Sequence, residues 1–356
     1  MNALFVFWVI YSCSLSAFFQ IGSCTMHVLI HEVTQDVPQV MLAELKGTNQ
    51  CFAIKCLKKT VVLEDRDVKS TMIERQVLTI GTSHPYICHL FCTFQSPVSL
   101  SYTESKTLRN KRVFWQQYLY FVMEYLCGGD VMFHILQNGR FKEDRARFYG
   151  AEVVSALKFL HKKGIVYRDA KLDNLVLDHE GHVRLVDFGM CKLHIYRREC
   201  MPCNLAGTPD YMAPEVVQGQ PYNHAVDWWS FGVLLYEMLV GQSPFRGTDE
   251  DELFWCICNE QPYYPFYLSK DAKHILKLFM HKDPETRLGM PDCPEGDVTW
   301  QPFFKDIDWE KIERKELDPP FKPQVSENDD DDIAVSCLII RYIIISGKIP
   351  KSRDHG

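Results

Sequence analysis

The sequence predicts an α+β chain of two lobes: a small, mostly antiparallel β lobe with one main helix, followed by a larger helical lobe. Three observations carry that expectation. The chain has 356 residues, 46% of them hydrophobic, which is enough to fill a core in each of two lobes. Between residues 39 and 126, strand-like apolar runs alternate with turn-forming stretches and hold a single helical pattern among them. From Gly128 onward the apolar residues recur at helical spacing.

In order, "QVMLAEL" (Gln39–Leu45) and "CFAIKCL" (Cys51–Leu57) read as strands, and "KGTNQ" between them as a hairpin turn. "DRDVKSTMIERQVLTIG" places Val68, Met72, Val77 and Leu78 at helix spacing and can end at Gly81. "YICHLFCTFQ" and "YLYFVMEYL" are two further strands, separated by a polar, aperiodic stretch whose insertion runs over about 97–115. "DRARFYGAEVVSALKFLHKKG" is amphipathic and ends in Gly. "WWSFGVLLYEMLVG" is nearly all apolar and too short to span a bilayer, hence a buried helix. "SKDAKHILKLFMHKD" is another amphipathic helix. "SENDDDD" (Ser326–Asp332) is an acidic, solvated break at which the domain should close.

The two ends read differently. Residues 1–30 are apolar and lack Lys or Arg, so a signal or anchor, a misassigned exon and packed structure all stay open. Membrane contact through that segment is not the favoured reading. "CLIIRYIIIS" (Cys337–Ser346) is too short to span and reads as a strand prone to aggregation if exposed. The formal net charge of -7 argues against a nucleic-acid binder, whose footprint is basic. The 14 Cys are scattered, and Cys191, Cys200 and Cys203 complete no zinc pattern, so most read as buried thiols.

The chemistry concentrates in "VYRDAKLDN" (Val166–Asn174), which packs charge beside the strand-like "NLVL". "NLVLDHEGHVRLVDFGM" then reads as strand, Gly turn, strand and Asp187-Phe-Gly. A hairpin there brings Asp169, Asn174 and Asp187 into one cleft. Asn174 and Asp187 offer the hard oxygens that Mg²⁺ takes together with phosphate. Asp169 could receive the proton of an attacking hydroxyl, and Lys171 could balance phosphoryl charge. The alternative is that these polar groups only cap turns. Lys55 tips the balance: a Lys among apolar neighbours on a central strand is costly unless paired, and Glu74 on the following helix is its natural partner. A snorkelling surface Lys is the other option.

At these residues the chain resembles the catalytic domain of eukaryotic serine/threonine protein kinases and, more narrowly, the novel-type protein kinase C group within the AGC kinases. The stretches are "FAIKCLKK", "FVMEYLCGGD", "GIVYRDAKLDN", "VDFGMCK", "GTPDYMAPE", "YNHAVDWWSFGVLLYEMLVGQSPF", "DPETRLG" and "DPPFKP", covering about residues 39–325. The resemblance implies a small lobe over 31–126, a large lobe over 127–304, the start of an AGC-type tail over 305–325 and a divergent tail over 326–356. It implies ATP and Mg²⁺ as cofactors. Lys55 matches the ATP-anchoring lysine and Glu74 its partner. Val40, Ala53, Met123, Glu124, Leu126 and Val176 match other ATP-binding positions, Met123 as gatekeeper with Glu124 and Leu126 in the hinge. Asp169 and Lys171 match the catalytic pair, Asn174 and Asp187 the metal ligands. Asp130, Asp173 and Glu237 match acidic positions that favour substrates with basic residues near the Ser or Thr. Arg168, Phe188, Asn204, Glu215 and Arg287 match structural or regulatory positions, Glu215 and Arg287 as the pair that ties the activation segment to the large lobe, and Leu78, Leu90, Tyr167 and Phe188 match an apolar spine. A cytoplasmic location follows from the need for ATP and from the free thiols.

Four departures stand beside the match. The three glycines expected over the phosphates fall on Val33, Gln35 and Pro38, which block close backbone approach and, at Pro38, remove an N–H. Ala170 replaces a leucine in the catalytic loop, a loss of buried carbons worth about 2–5 kcal/mol in a typical core. Asn204 occupies the phosphothreonine position, and no Ser or Thr lies between Phe188 and Gly207. The polar insertion is the fourth, and with it the tail carries neither the regulatory phosphorylation sites nor the aromatic motif, and no C1 or C2 lipid-binding module precedes the kinase-like region. A pseudokinase scaffold, or a degenerate gene product, is therefore carried as the alternative to an active enzyme.

Overall fold

The computed structural model describes residues 6–11, 14–21, 24–30, 39–45, 48, 50–64, 68–95, 118–196 and 207–323, with residues 6–30 described by backbone alone. Val33, Gln35 and Pro38, the 97–115 insertion, Asn204 and the 326–356 tail lie outside the described residues. The chain divides into two units, one of residues 1–71, 89–125 and 328–356, the other of residues 72–88 and 126–327.

The first unit is built on a seven-stranded sheet. Its strands are β1 (Val6–Tyr11), β2 (Ser14–Ile21), β3 (Cys24–Ile30), β4 (Gln39–Leu45), β5 (Cys51–Lys58), β6 (Leu90–Gln95) and β7 (Tyr118–Glu124), in the order β1-β2-β3-β4-β5-β7-β6. Every neighbouring pair is antiparallel. The β4–β5 turn closes with Leu45 N donating to Gln50 O at 2.9 Å and Thr48 N to Leu45 O at 3.0 Å. Residues 6–30, left open from sequence, form three of the strands. A short helix, α1 (Lys59–Glu64), follows β5 and was not expected, because six residues are too few to show a helical period.

Strand alternation sorts the two faces of this sheet. Ala43, Phe52, Ile54, Cys56, Tyr120 and Val122 form its core cluster, with Met41, Leu45, Cys92, Phe94 and Tyr118 packed against it. The register pairs Val40 with Lys55, Lys55 with Phe121 and Ala53 with Met123. These residues therefore share the opposite face.

The second unit is helical. α2 (Val68–Gly81) enters it at Met72, and α3 (Val131–Asn138) and α4 (Glu143–Lys162) follow. β8 (Leu175–Leu177) and β9 (Val183–Leu185) form an antiparallel pair, as the Gly-turn reading expects. After them come α5 (Pro214–Val217), α6 (Ala225–Val240), α7 (Glu250–Asn259), α8 (Lys270–Phe279) and α9 (Trp309–Glu313). α4 carries Glu143 and Asp144 in its first turn and His161 and Lys162 in its last, matching the helix dipole at both ends. α6 is buried from Ala225 to Leu239, which is why its sequence is apolar all round. It stops at Gly241, whose φ of 84° suits glycine and where a Cβ would lie 1.9 Å from the Gly139 carbonyl oxygen. Among the described residues no helix is long and apolar enough to cross a membrane.

The chain following α9 fastens the β8–β9 turn from behind. Lys315 Nζ bonds Asp178 Oδ2 at 2.8 Å and Glu180 Oε2 at 2.6 Å. Asp178 Oδ1 accepts the backbone N–H groups of Glu180, Gly181 and His182, each at 3.0 Å. That turn sets the spacing between the two strands from whose ends Asn174 and Asp187 project.

Candidate active site

The catalytic-loop residues converge on a buried polar knot. Asp169 is 7% exposed. Its Oδ2 accepts from Asn174 Nδ2 at 2.7 Å and faces Lys171 Nζ at 3.0 Å. Its Oδ1 accepts from Thr208 Oγ1 at 3.3 Å, and Lys171 Nζ donates to the same Thr208 hydroxyl at 3.1 Å. Thr208 was not singled out from sequence, although "GTPDYMAPE" contains it. Its signal is a hydroxyl in a run otherwise matched for its other residues.

Burial raises the Asp169 carboxyl above the ordinary aspartate range, Lys171 and Asn174 pull it back, and nearby Asp187 pushes it further up. Asn174 Nδ2 gives both hydrogens to Asp169, one to Oδ2 and one to the backbone O at 2.8 Å. The amide orientation so fixed presents Oδ1 as the face for a cation. Asp187 sits at φ 55°, in the left-handed region, and Gly189 N donates to its Oδ1 at 3.4 Å. Glu74, 4% exposed on α2, lies on the other side of Gly189: a Cβ there would be 3.9 Å from Glu74 Oε2 and 3.5 Å from Asp187 Oδ1.

Among the described residues no group of three His, Cys, Asp or Glu side chains is arranged to hold a metal ion. The donors present, one carboxylate and one amide oxygen, instead fit a hard cation that completes its shell with water and phosphate, as Mg²⁺ does.

Asp227 holds the loop's backbone and was also missed from sequence. Fully buried at the start of α6, it accepts from Tyr167 N at 2.9 Å, Arg168 N at 2.7 Å and His161 Nε2 at 2.7 Å. A carboxylate with three donors offsets the strain of Arg168, whose φ is 68°. No signal beyond its burial in an apolar helix marked it. The Arg168 side chain donates from Nε to Met190 O at 2.5 Å and from Nη1 to Tyr222 Oη at 2.9 Å. Tyr167, fully buried, stacks at a tilt 5.4 Å from Phe188, also fully buried. Leu78 is buried in the same unit.

Three acidic positions have separate settings. Asp130 caps α3, accepting from Phe133 N at 2.7 Å. Asp173 lies half-buried in the turn Leu172–Asn174. Glu237 is buried on α6 and accepts from Tyr211 Oη at 2.5 Å. Desolvation, with Asp210 and Asp173 nearby, raises its carboxyl to about 7. Glu215 and Arg287 form a bidentate pair at 2.6 and 2.9 Å, both buried.

In the sheet unit, Lys55 is 9% exposed on central strand β5, with Val40 across one side and Phe121 across the other. Ala53 faces Met123, and Glu124 closes the end of β7 by accepting from His89 N at 2.7 Å. Leu126 and Val176 are half-buried in the helical unit, Val176 pairing with Arg184 and bridging to Asp130.

The family described as "Protein kinase domain" matches residues 36–298. The chain is 60% identical over 287 residues to a protein kinase C delta type homolog of Drosophila melanogaster, covering 81% of this chain and 40% of that protein. It is 51% identical over 292 residues to protein kinase C-like 1 of Caenorhabditis elegans, covering 82% and 39%. It is 50% identical over 292 residues to protein kinase C delta type of Mus musculus, covering 82% and 40%. The chain thus spans about 40% of the length of the curated relatives it matches.

Proposed function

Because the chain belongs to the protein kinase domain family, as a serine/threonine kinase domain of the AGC, protein kinase C-like branch, we propose that it transfers the γ-phosphoryl group of ATP to Ser or Thr hydroxyls of proteins. The observation that carries this reading is the knot around Asp169, in which Lys171, Asn174 and Thr208 hold one carboxylate in a fixed orientation.

In this reading Asp169 orients the substrate hydroxyl and takes its proton as the bond to phosphorus forms. Lys171, already shared between Asp169 and Thr208, balances charge on the transferring group. Asn174 and Asp187 would hold Mg²⁺, which when bound would supply neutralisation of the charge developing on the phosphates. Lys55 would serve the phosphates, and Val40, Ala53 and Met123, which share its sheet face, would serve the adenine. Glu237, with Asp173 and Asp130, favours basic residues beside the target hydroxyl. Glu237 is buried without a cation from the described chain, so a cationic side chain from a substrate supplies the missing partner.

The second reading, a scaffold without useful turnover, is favoured by Val33, Gln35 and Pro38 at the glycine positions and by Asn204. One pair of measurements separates the two. Mg²⁺-ATP at millimolar concentration should raise the melting temperature by mass action, and phosphate should appear on a basic Ser/Thr peptide. Asp187→Ala should abolish transfer, a fall of at least about a thousandfold for loss of a metal ligand. Equal transfer by both proteins rejects the enzyme; a thermal shift without transfer leaves the scaffold.

A further inference from the structure

Glu152 is a fully buried carboxylate that the phosphoryl-transfer reading does not use. It stands in the middle of α4, and both of its oxygens bind the hairpin that ends at Asp187. Its Oε1 accepts from His182 Nδ1 at 2.6 Å, and its Oε2 accepts from the Val183 backbone N–H at 2.8 Å. His182 is itself buried, with the rings of Phe148 and Tyr86 centred 6.0 and 6.2 Å away. One carboxylate thus grips a side chain and the next residue's amide where β9 begins.

The far side of β9 leads back to the same helix. Leu185 N donates to Tyr86 O at 2.9 Å, and Leu185 O accepts from Cys88 N at 2.9 Å. The segment that carries Tyr86 and Cys88 is moored at His84, whose Nε2 lies 3.2 Å from Ser155 Oγ, one turn along α4 from Glu152. Ser155 Oγ in turn donates to Glu313 Oε1 at 3.0 Å. Beyond Leu185, Val186 N donates to Asn174 O at 3.1 Å, and Asp187 follows.

β8 and β9 have three residues each, too few to hold a register unaided. A slip of one residue would turn the side chains of β9 to the opposite face and carry Asp187 off its place. Asp178 and Lys315 hold the turn, whereas Glu152 holds the strand. Its two bonds go to adjacent residues, so a slip in either direction breaks both together. A buried acid–histidine pair is also a poor source of stability, since apolar groups of similar volume do as well or better.

We propose that Glu152 is a positioning residue: by gripping His182 and Val183 it sets the register of β9 and so places Asp187 for a metal ion. The metal half rests on the role given to Asp187 under the transferase reading; the register half stands without it.

The test compares the full chain with Glu152→Leu, which fills the space without hydrogen-bonding, and Glu152→Gln, whose amide can bond both partners. Hydrogen exchange of residues 185–189 is measured beside that of α6, with no ligand present. Glu152→Leu should speed exchange at 185–189 by about tenfold and leave α6 and the melting temperature near wild type. Glu152→Gln should restore the protection to within about threefold. With ATP present, the Mg²⁺ concentration giving half of the thermal shift should rise about tenfold in Glu152→Leu, the scale of losing a group that orients a metal ligand. Unchanged exchange at 185–189, an equal loss of protection in α6, or no recovery in Glu152→Gln overturns the assignment. An unchanged Mg²⁺ requirement beside altered exchange overturns its bearing on Asp187. A wild-type protein with no Mg²⁺-ATP shift rejects the transferase reading, and the exchange comparison still decides the register.

Discussion

Glu215 and Glu237 are both buried carboxylates of the helical unit, 2% and 6% exposed, yet they are solved in opposite ways. Glu215 receives two N–H groups from one guanidinium, and Arg287 completes its shell with the Ala225 and His281 carbonyls at 2.9 Å each. Glu237 has a phenol and, among the described residues, no cation, and burial together with two further acids raises its carboxyl to about 7. A pair closed within the chain is architecture. A buried acid left short of a cation costs stability and is ready for a ligand that brings one.

The largest way to break the contrast is Arg287→Ala, which leaves Glu215 buried alone. We expect a loss of about 3–5 kcal/mol in urea unfolding. Arg287→Lys should recover only part of it, because an ammonium cannot make the bidentate contact.

Next comes the pH dependence at Glu237. A folded value of about 7 against 4.5 means that the folded state holds a proton the unfolded state has lost between those pH values. Stability from this group is therefore highest below pH 4.5 and falls as pH rises toward 7, by about 3 kcal/mol in total. Glu237→Gln should remove that much of the slope and be the more stable protein at pH 8. Buried Glu152, also raised to about 7, contributes a slope of the same sign, so the difference between the two proteins is the quantity to measure.

Substrate binding sharpens the same comparison. At pH 8, Glu237→Gln should weaken a basic Ser/Thr peptide by about tenfold, the scale of one charge-assisted contact. At pH 5.5, where the native carboxyl is protonated, the two proteins should bind alike. A peptide titration at both pH values tests this. The smallest effect belongs to Tyr211→Phe, which removes the bond to Glu237 and a long one from Leu172 N at 3.5 Å for about 1–2 kcal/mol, and moves the pH transition of stability upward.

Much of the site was legible because its chemistry lies in short contiguous runs. Asp169, Lys171 and Asn174 fall within six residues, and the Gly turn at Gly181 announces the strand pair that carries Asn174 and Asp187. Thr208 and Asp227 were not legible. They act across 39 and about 60 residues of chain, and a hydroxyl in a loop or an acid in an apolar helix has no local period.

From residue 39 onward the sequence by itself determined the order of the main strands and helices, since alternation and the 3.6-residue period are local, and it marked Lys55 as a charge that had to be partnered. The resemblance named Arg287 as the partner of Glu215, 72 residues away. Tertiary structure decided the partners that neither pattern nor resemblance named: His161 and two backbone N–H groups for Asp227, and Tyr211 but no described cation for Glu237. The physical reason is that desolvation is a property of a residue's spatial neighbours, and those neighbours are chosen by packing rather than by chain order.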